Sequence, residues 1–353
     1  MVTQRILITG GSGFVGANLC IGLAARHPDW AITALDNLKR RGSELNLPRL
    51  REAGVRFVHG DVRAQADLLA LDPVDAIVEC SAEPSALAGV DGAPDYLLQS
   101  NLVGAYHCLE LARRHDAQFV FISTSRVYPY AALDALEHRE EATRFELVSS
   151  RGVSEDFPLE GARTLYGASK LAAELLVTEY AAAFGLETVI DRCGVIAGPW
   201  QMGKVDQGVF TYWMLAHQTG QPLRYIGYGG LGKQVRDLLH VDDLVELIDR
   251  QLTAPGHWRG RTVNVGGGRE ISLSLVETTE LCRELTGREV PVEASQDSRP
   301  GDVRIYLTDA SRLYGLTDWR PQRSAVDTLT DIARWLRDHE AAVVLSSPRT
   351  LPS

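Results

Sequence analysis

The sequence predicts an α/β fold: a doubly wound parallel sheet followed by a smaller, mixed C-terminal region. Three observations lead there. The chain opens with an apolar run, Ile6-Leu7-Ile8, then Gly10-x-x-Gly13-x-x-Gly16, and the apolar pattern resumes at Phe14, Val15, Leu19 and Leu23 with helical spacing. Short apolar runs then alternate with helical stretches through the first half, which is how a parallel sheet is wound. From about Gly194 the alternation gives way to short strands, loops and helices in no regular order. Strand, glycine turn and helix in that order form the opening of a Rossmann-type sheet that binds a dinucleotide.

The glycines carry the first functional reading. Gly10 permits the tight turn, Gly13 lets the backbone approach a pyrophosphate, and Gly16 lets the helix pack on the strand, with the phosphates at the helix N-terminus. An ordinary βα turn would use the same glycines, so the next elements decide. Ala31 to Leu35 reads as the second strand and ends in Asp36. An acidic residue about 20 positions beyond the glycine turn is where such a fold grips the adenosine ribose, and its charge would repel a 2′-phosphate. NAD is therefore favoured over NADP, although Arg40 and Arg41, turned inward, would accept that phosphate.

Val55 to Gly60 is the third strand, followed by Asp61-Val62, and Ala76 to Cys80 is the fourth, with Ser81-Ala82-Glu83-Pro84-Ser85 as the loop at its carboxyl end. Ligands of open α/β sheets bind at such ends. A helix through Asn101, Gly104, Leu109 and Leu111 leads to Phe119 to Ile122, a strand closed by Ser123-Thr124-Ser125. The stretch from Tyr130 to Arg163 is polar and poor in strand pattern, and reads as an elaborated loop near the site or a mobile excursion. Leu165 to Phe184 is a long helix and Glu187 to Ile190 a strand leading to Arg192. Beyond Gly194 come a loop at Gly198 to Gly203, a helix over Val209 to His217, and short strands at Pro222 to Tyr225 and Lys233 to Asp237. A helix from Val241, a strand at Thr262 to Val265, and helices near Leu275 to Thr286 and Ala325 to His339 complete it. The expected organisation is a dinucleotide-binding domain over 1–193 with a returning segment at about 236–268. A substrate domain covers 194–235 and 269–340, and 341–353 is a flexible tail.

Tyr166-Gly167-Ala168-Ser169-Lys170 is the second chemical stretch. Tyr and Lys at i and i+4 share one helix face. A phenol titrates near 10 in water, and a neighbouring ammonium, together with a positive nicotinamide ring, would favour its ionised form. Such a tyrosine can take a proton from a sugar hydroxyl as hydride leaves the same carbon. Thr124, closing a strand, is placed to hydrogen-bond the same oxygen. Tyr-x-x-x-Lys alone is common as an amphipathic surface pair; the glycine turn, Asp36 and Thr124 in the same chain give it meaning.

Composition narrows the class. The chain has 353 residues, 45% hydrophobic and 23% charged, as expected of a globular enzyme. A net charge of −10 argues against nucleic acid as a partner. Cys20, Cys80, Cys108, Cys193 and Cys282 are scattered, without metal-site spacing, and read as buried reduced thiols of a cytoplasmic protein. The first strand starts at once, so no signal peptide is expected, and no apolar stretch approaches the roughly 18 residues of a membrane span.

Six motifs together resemble the extended short-chain dehydrogenase/reductases, the branch that modifies nucleotide sugars. They are TGGSGFVG (from Thr9), DNLKRRGS (from Asp36), GDV (from Gly60), STSRVY (from Ser123), YGASK and RDLLHVDDL (from Arg236). The fuller DNLKRRGSELNL, the insert after Val127-Tyr128, and MGKVDQG (Met202 to Gly208) ahead of GKQVRDLLHVDDL are most similar to the CDP-paratose/CDP-tyvelose 2-epimerases. The resemblance implies Thr124, Tyr166 and Lys170 as catalytic residues. It implies an NAD site of Gly10, Gly13, Phe14, Val15, Gly16, Asp36, Asn37, Arg41, Asp61, Val62, Ala82 and Asn101, with Tyr166 and Lys170 also on the nicotinamide ribose. It implies a nucleotide-sugar site, CDP-linked by preference, of Glu83, Ser125, Gln207, Arg236 and Arg299, the two arginines clamping the diphosphate. Salt bridging of Arg236 to Asp237 or Asp242, and a solvated loop charge at Arg299, are the competing expectations. No metal is implied, and a homodimer or higher homo-oligomer is, pairing through the helices at Asn101 to Arg113 and from Tyr166. The sequence departs from the 4,6-dehydratases, which follow the Thr with an Asp-Glu pair: here Ser125 and Arg126 stand there, and neither serves elimination. Glu83, Ala197-Gly198-Pro199 and Val127-Tyr128-Pro129 are further departures around the substrate mouth.

Overall fold

The computed structural model describes residues 3–85, 88–90, 93–148, 151–203, 207–297 and 301–346. Fifteen strands follow in order: β1 (Gln4–Thr9), β2 (Trp30–Asp36), β3 (Arg56–His59), β4 (Ala76–Glu79), β5 (Gln118–Thr124), β6 (His138–Glu140), β7 (Phe145–Leu147), β8 (Thr188–Cys193), β9 (Val195–Ala197), β10 (Leu223–Ile226), β11 (Val235–His240), β12 (Arg261–Val265), β13 (Ser272–Ser274), β14 (Val292–Ser295) and β15 (Ile305–Tyr306). Seven of them form a parallel sheet in the order β12-β8-β5-β4-β1-β2-β3. The winding reverses between β1 and β4, which are hydrogen-bonded neighbours. That reversal opens a crevice at their carboxyl ends.

The two-residue period of the strands sorts the core onto two faces. Ile6, Ile8 and Val78 join Leu19, Leu23 and Ile248 in one cluster, while Leu7, Ile77, Phe119 and Phe121 join Leu109 and Val177 in another. Each such fully buried side chain contributes about 1.5–3 kcal/mol of transfer free energy. The helix Phe14–Arg26 covers the first face and the helices Gly104–His115 and Leu165–Phe184 the second. Tyr106, Leu175 and Phe184 stand exposed on those last two helices.

The smaller region has its own core, with Phe210, Met214, Cys282, Leu329 and Ile332 buried together, and a sheet in the order β13-β11-β15 with β9 also on β11. Three details differ from the sequence expectations. The 130–163 stretch holds a short helix, Tyr130–Asp134, and the antiparallel pair β6–β7. Phe145 and Leu147, two apart and so on one face, bury against Val235, Ile305 and Leu307, partners too remote in sequence to signal a strand. In the returning segment, β11 belongs to the smaller sheet, and only β12 joins the large one. The last helix, Ala325–Ser346, runs past 341 into the expected tail. Among the described residues no helix is long and apolar enough to cross a membrane. All five cysteines are free, four of them buried and Cys80 half-buried.

Candidate active site

A cleft of about 420 Å³ opens at the β1/β4 reversal, lined by Gly10, Gly13, Phe14, Val15, Gly16, Asp36, Asn37, Arg41, Val62, Ala82, Glu83 and Gln207 among others. Its floor is the glycine loop. A Cβ on Gly16 would stand 2.2 Å from the Gly10 carbonyl oxygen, so the helix reaches the turn only because no side chain intervenes. Asp36 ends β2 and accepts from the backbone N–H of Ser12 at 3.0 Å and of Leu38 at 2.8 Å, while burial raises its carboxyl above the usual range. Ser12 is tied to the DNLKRRGSELN segment, donating to the Ser43 carbonyl at 2.8 Å and accepting from Asn46 at 2.9 Å through its own carbonyl. That motif thus braces the phosphate turn as well as bordering the cleft.

Two of the expected cofactor residues act from behind the cleft wall. Burial alone would raise the Asp61 carboxyl, but hydrogen bonds from Arg63 and Asn37 pull it to about 2. Asn101 accepts from Glu83 N–H at 2.7 Å and donates to Ser169 Oγ at 3.1 Å. It pins the loop after β4 to the helix that carries Tyr166, an arrangement visible only once both segments are in place.

Thr124 closes β5 and caps the following turn through Arg126 N–H at 3.2 Å. Thr164 caps the next helix on Gly167 N–H, so Tyr166 lies in its first turn. A Cβ on Gly167 would fall 2.0 Å from the Arg126 carbonyl oxygen; glycine there lets the helix start touch the end of β5. Burial pushes the Tyr166 phenol up to about 12, and a hydrogen bond with Thr124 and the Arg126 charge work against that rise. Lys170 is 1% exposed. Its ammonium lies 3.5 Å from Glu79 Oε2 and 3.8 Å from the centre of the Phe121 ring.

Beyond Tyr166 lies a small cavity of about 40 Å³, lined by Ser125, Arg126, Tyr128, Arg163, Arg236 and Tyr306, among others. Arg236 bonds neither Asp237 nor Asp242; it donates to Asp302 Oδ1 at 2.7 Å and to the Val303 carbonyl at 2.6 Å. Asp302 ends the Arg299-Pro300-Gly301-Asp302 motif, so the two motifs meet, but Arg299 itself lies outside the described residues. Arg126 donates to the Gly301 carbonyl at 2.8 Å, and burial beside Arg236 lowers its guanidinium pKa. Glu79, Arg126 and the Asn101–Ser169 contact escaped sequence reading. Glu79 had a signal: one carboxylate inside the apolar run Ala76-Ile77-Val78-Glu79-Cys80.

The model of the NAD dependent epimerase/dehydratase family matches residues 6–266. The chain belongs to that family. CDP-paratose 2-epimerase of Salmonella typhi is 30% identical over 344 residues, covering 94% of this chain and 99% of the relative. A dTDP-glucose 4,6-dehydratase of Mycolicibacterium smegmatis is 32% identical over 346 residues, 96% of this chain and 95% of the relative. Among solved structures, the DesIV double mutant, a dTDP-glucose 4,6-dehydratase of Streptomyces venezuelae with NAD and DAU bound, superposes with a TM-score of 0.81 at 28% identity, covering 98% of this chain and 100% of that one. This member of the family is an NAD-dependent, nucleotide-sugar-modifying enzyme of the extended short-chain dehydrogenase/reductase type, and NAD is its cofactor. The cradle without a Cβ at Gly16, and the carboxylate of Asp36 at the end of β2, fit a dinucleotide.

Proposed function

We propose that this enzyme is a nucleotide-sugar epimerase, acting by transient oxidation of a ring carbon and re-reduction on its other face, and that its reaction is C2 epimerisation of a CDP-linked deoxysugar. One observation carries the reading. Thr124 and Tyr166 form a hydrogen-bonded pair at the carboxyl end of β5, while the places that hold an acid and a base in eliminating relatives hold Ser125 and Arg126. At these two positions the site has no acid and base pair poised to expel water.

The residues divide the work. Tyr166 Oη takes the hydroxyl proton of the sugar and later returns it; Thr124 Oγ1 orients that hydroxyl. Gly10 to Gly16 and Asp36 would hold NAD, which when bound would supply a reversible hydride acceptor, so no net redox partner is needed. The Thr124 hydrogen bond and the Arg126 charge oppose the desolvation that raises the phenol, and Lys170, one helical turn on, would add its charge to theirs. Arg236, with Arg299, offsets the substrate diphosphate in an otherwise acidic protein, since guanidinium forks match phosphate oxygens. Glu83 and Gln207 border the cleft where the sugar enters. The CDP and C2 assignments rest on the similarity to the Salmonella typhi enzyme.

The test is product analysis by NMR after incubation with CDP-, UDP- and dTDP-sugars in D2O. The expected product is the C2 epimer of a CDP-deoxysugar, without solvent deuterium on carbon. Tyr166→Phe should lower turnover by about a thousandfold or more with NAD still bound. A 4-keto-6-deoxy product, a C4 epimer, loss of CO2 or stoichiometric use of NADH would each replace this reaction by another. Wild-type rates in Tyr166→Phe would remove the mechanism.

A further inference from the structure

Lys170 and Glu79 form a buried ion pair beneath the site. Lys170 is 1% and Glu79 0% exposed. Glu79 is in register with Phe121 on the neighbouring strand, so the carboxylate and the ring stand side by side where the Lys170 side chain descends from the Tyr166 helix. Neither Glu79 side-chain oxygen has a partner in good hydrogen-bond geometry among the described residues; burial raises the carboxyl, and Lys170 with the Ser81 backbone N–H opposes that rise. An apolar residue would satisfy the sheet packing here at far lower cost, because a buried carboxylate without donors is expensive unless it compensates a charge.

We propose that Glu79 is a positioning residue: it anchors the Lys170 ammonium in the dry space beside Tyr166. The proposal rests on reading Tyr166 as the proton-transferring residue. The remaining titratable groups facing this space are few. Cys80 at the end of β4, Cys108 on the helix Gly104–His115 and Cys193 on β8 are pushed well above the thiol range by burial, so they stay neutral. Arg126 acts on Tyr166 from the opposite side. Glu79 thus supplies the negative charge next to Lys170. Through space it opposes ionisation of Tyr166; through Lys170 it supports it, because an ammonium stripped of its partner in this space loses its place. The second effect is the stronger one, the pair being in direct contact.

The experiment is an ultraviolet difference titration of tyrosinate on the full-length protein saturated with NAD, with the Tyr166 signal isolated by subtracting Tyr166→Phe. Glu79→Gln should raise the Tyr166 midpoint by about one pH unit, a tenfold loss of phenolate at a given pH. In a Lys170→Met background the same substitution should leave the midpoint in place or lower it. An unmoved or lowered midpoint in the enzyme that retains Lys170 overturns the proposal, since Glu79 would then be a bystander or a plain repelling charge. Should Glu79→Gln fail to fold, Glu79→Met, which puts an apolar wall beside the ammonium, must give the same upward movement, and a midpoint that stays put there overturns it equally. The titration needs no sugar substrate, so an error in the substrate assignment leaves it intact, while a Tyr166→Phe enzyme with normal turnover would remove the proposed function without touching this readout.

Discussion

The cofactor cleft draws its walls from four compact stretches, residues 10–16, 35–46, 60–62 and 80–84, each leaving a strand of one parallel sheet, together with Tyr96 and Ser100 and with Trp200, Gln201, Met202 and Gln207 of the smaller region. The cavity beyond Tyr166 draws on residues 125–133, 163–164, 195, 236 and 301–306, which belong to three strands of the smaller sheet, short helices and several loops. The floor of the first site is made by local rules: a strand ends, the chain turns without side chains, a helix begins. The second exists only after segments more than a hundred residues apart have met, as when Arg126 reaches the Gly301 carbonyl. A site of the first kind is fixed by backbone shape and serves any dinucleotide enzyme. A site of the second kind varies side chain by side chain, and the proposed substrate choice would reside there.

The sharpest way to separate the two is a pair of equal substitutions, each adding one methyl group. At Gly16 the new Cβ meets the Gly10 carbonyl oxygen, and at Gly167 it meets the Arg126 carbonyl oxygen. Both clashes are with backbone, so neither can relax by a rotamer change. Gly16→Ala should weaken NAD by about 100-fold or more, roughly 2.7 kcal/mol, as measured by the NAD retained on purification and by titration. Gly167→Ala should keep NAD within a few-fold and instead displace the start of the Tyr166 helix from Thr124, lowering kcat by about 100-fold. If Gly167→Ala lost NAD as well, the two sites would be one rigid unit and the contrast would fail.

A smaller effect is expected on the substrate side. Arg236→Lys keeps a charge and loses the planar fork. KM for the nucleotide sugar should rise about 10- to 100-fold with kcat little changed and NAD occupancy unaltered, the signature of lost uniform binding. Steady-state kinetics read this directly. A fall in kcat at constant KM would instead mean that Arg236 serves only to brace Asp302 and the Val303 carbonyl.

The same contrast explains what could be read in the sequence. Gly10 to Gly16, Asp36 and Tyr166 to Lys170 are contiguous, and their spacing alone states a turn, a strand end and a helix face. The parallel sheet was legible because its buried strands are nearly continuous apolar runs. The pair β6–β7 was not, because Phe145 and Leu147 are two apolar residues in a polar stretch whose partners come from β11 and β15. Asn101 could be proposed near the cofactor, but its bonds to the Glu83 backbone and to Ser169 depend on a helix that begins more than sixty residues later. The i, i+4 spacing of Tyr166 and Lys170 gave the shared face correctly and was silent on Glu79, because a helix pattern says nothing of the strand beneath it.

The mildest effect lies in the two buried carboxyls that the sheets do not share. Asp191 on β8 and Asp237 on β11 are both 0% exposed. Burial lifts Asp191 to about 7, with one donor, Gln251 Nε2 at 2.8 Å, opposing the rise. Asp237 is lifted to about 6 and receives the N–H groups of Gly268 at 3.0 Å and Thr308 at 3.2 Å. A carboxyl whose pKa is higher folded than unfolded binds its proton more tightly in the folded state. Its contribution is therefore whole below about pH 4, where the unfolded chain is also protonated, and drains away as pH rises through the folded value. For Asp191 the window runs from about pH 4 to about pH 7. Asp191→Asn keeps an oxygen for Gln251 and removes the charge, so its melting temperature relative to wild type should improve by a few degrees between pH 5 and pH 8. Asp237→Asn should improve less over the same interval, because its ionised form already has two backbone donors. Melting curves of the two variants at both pH values check this. Equal gains would show that burial alone, and not the donor set of each sheet, decides what these carboxylates cost.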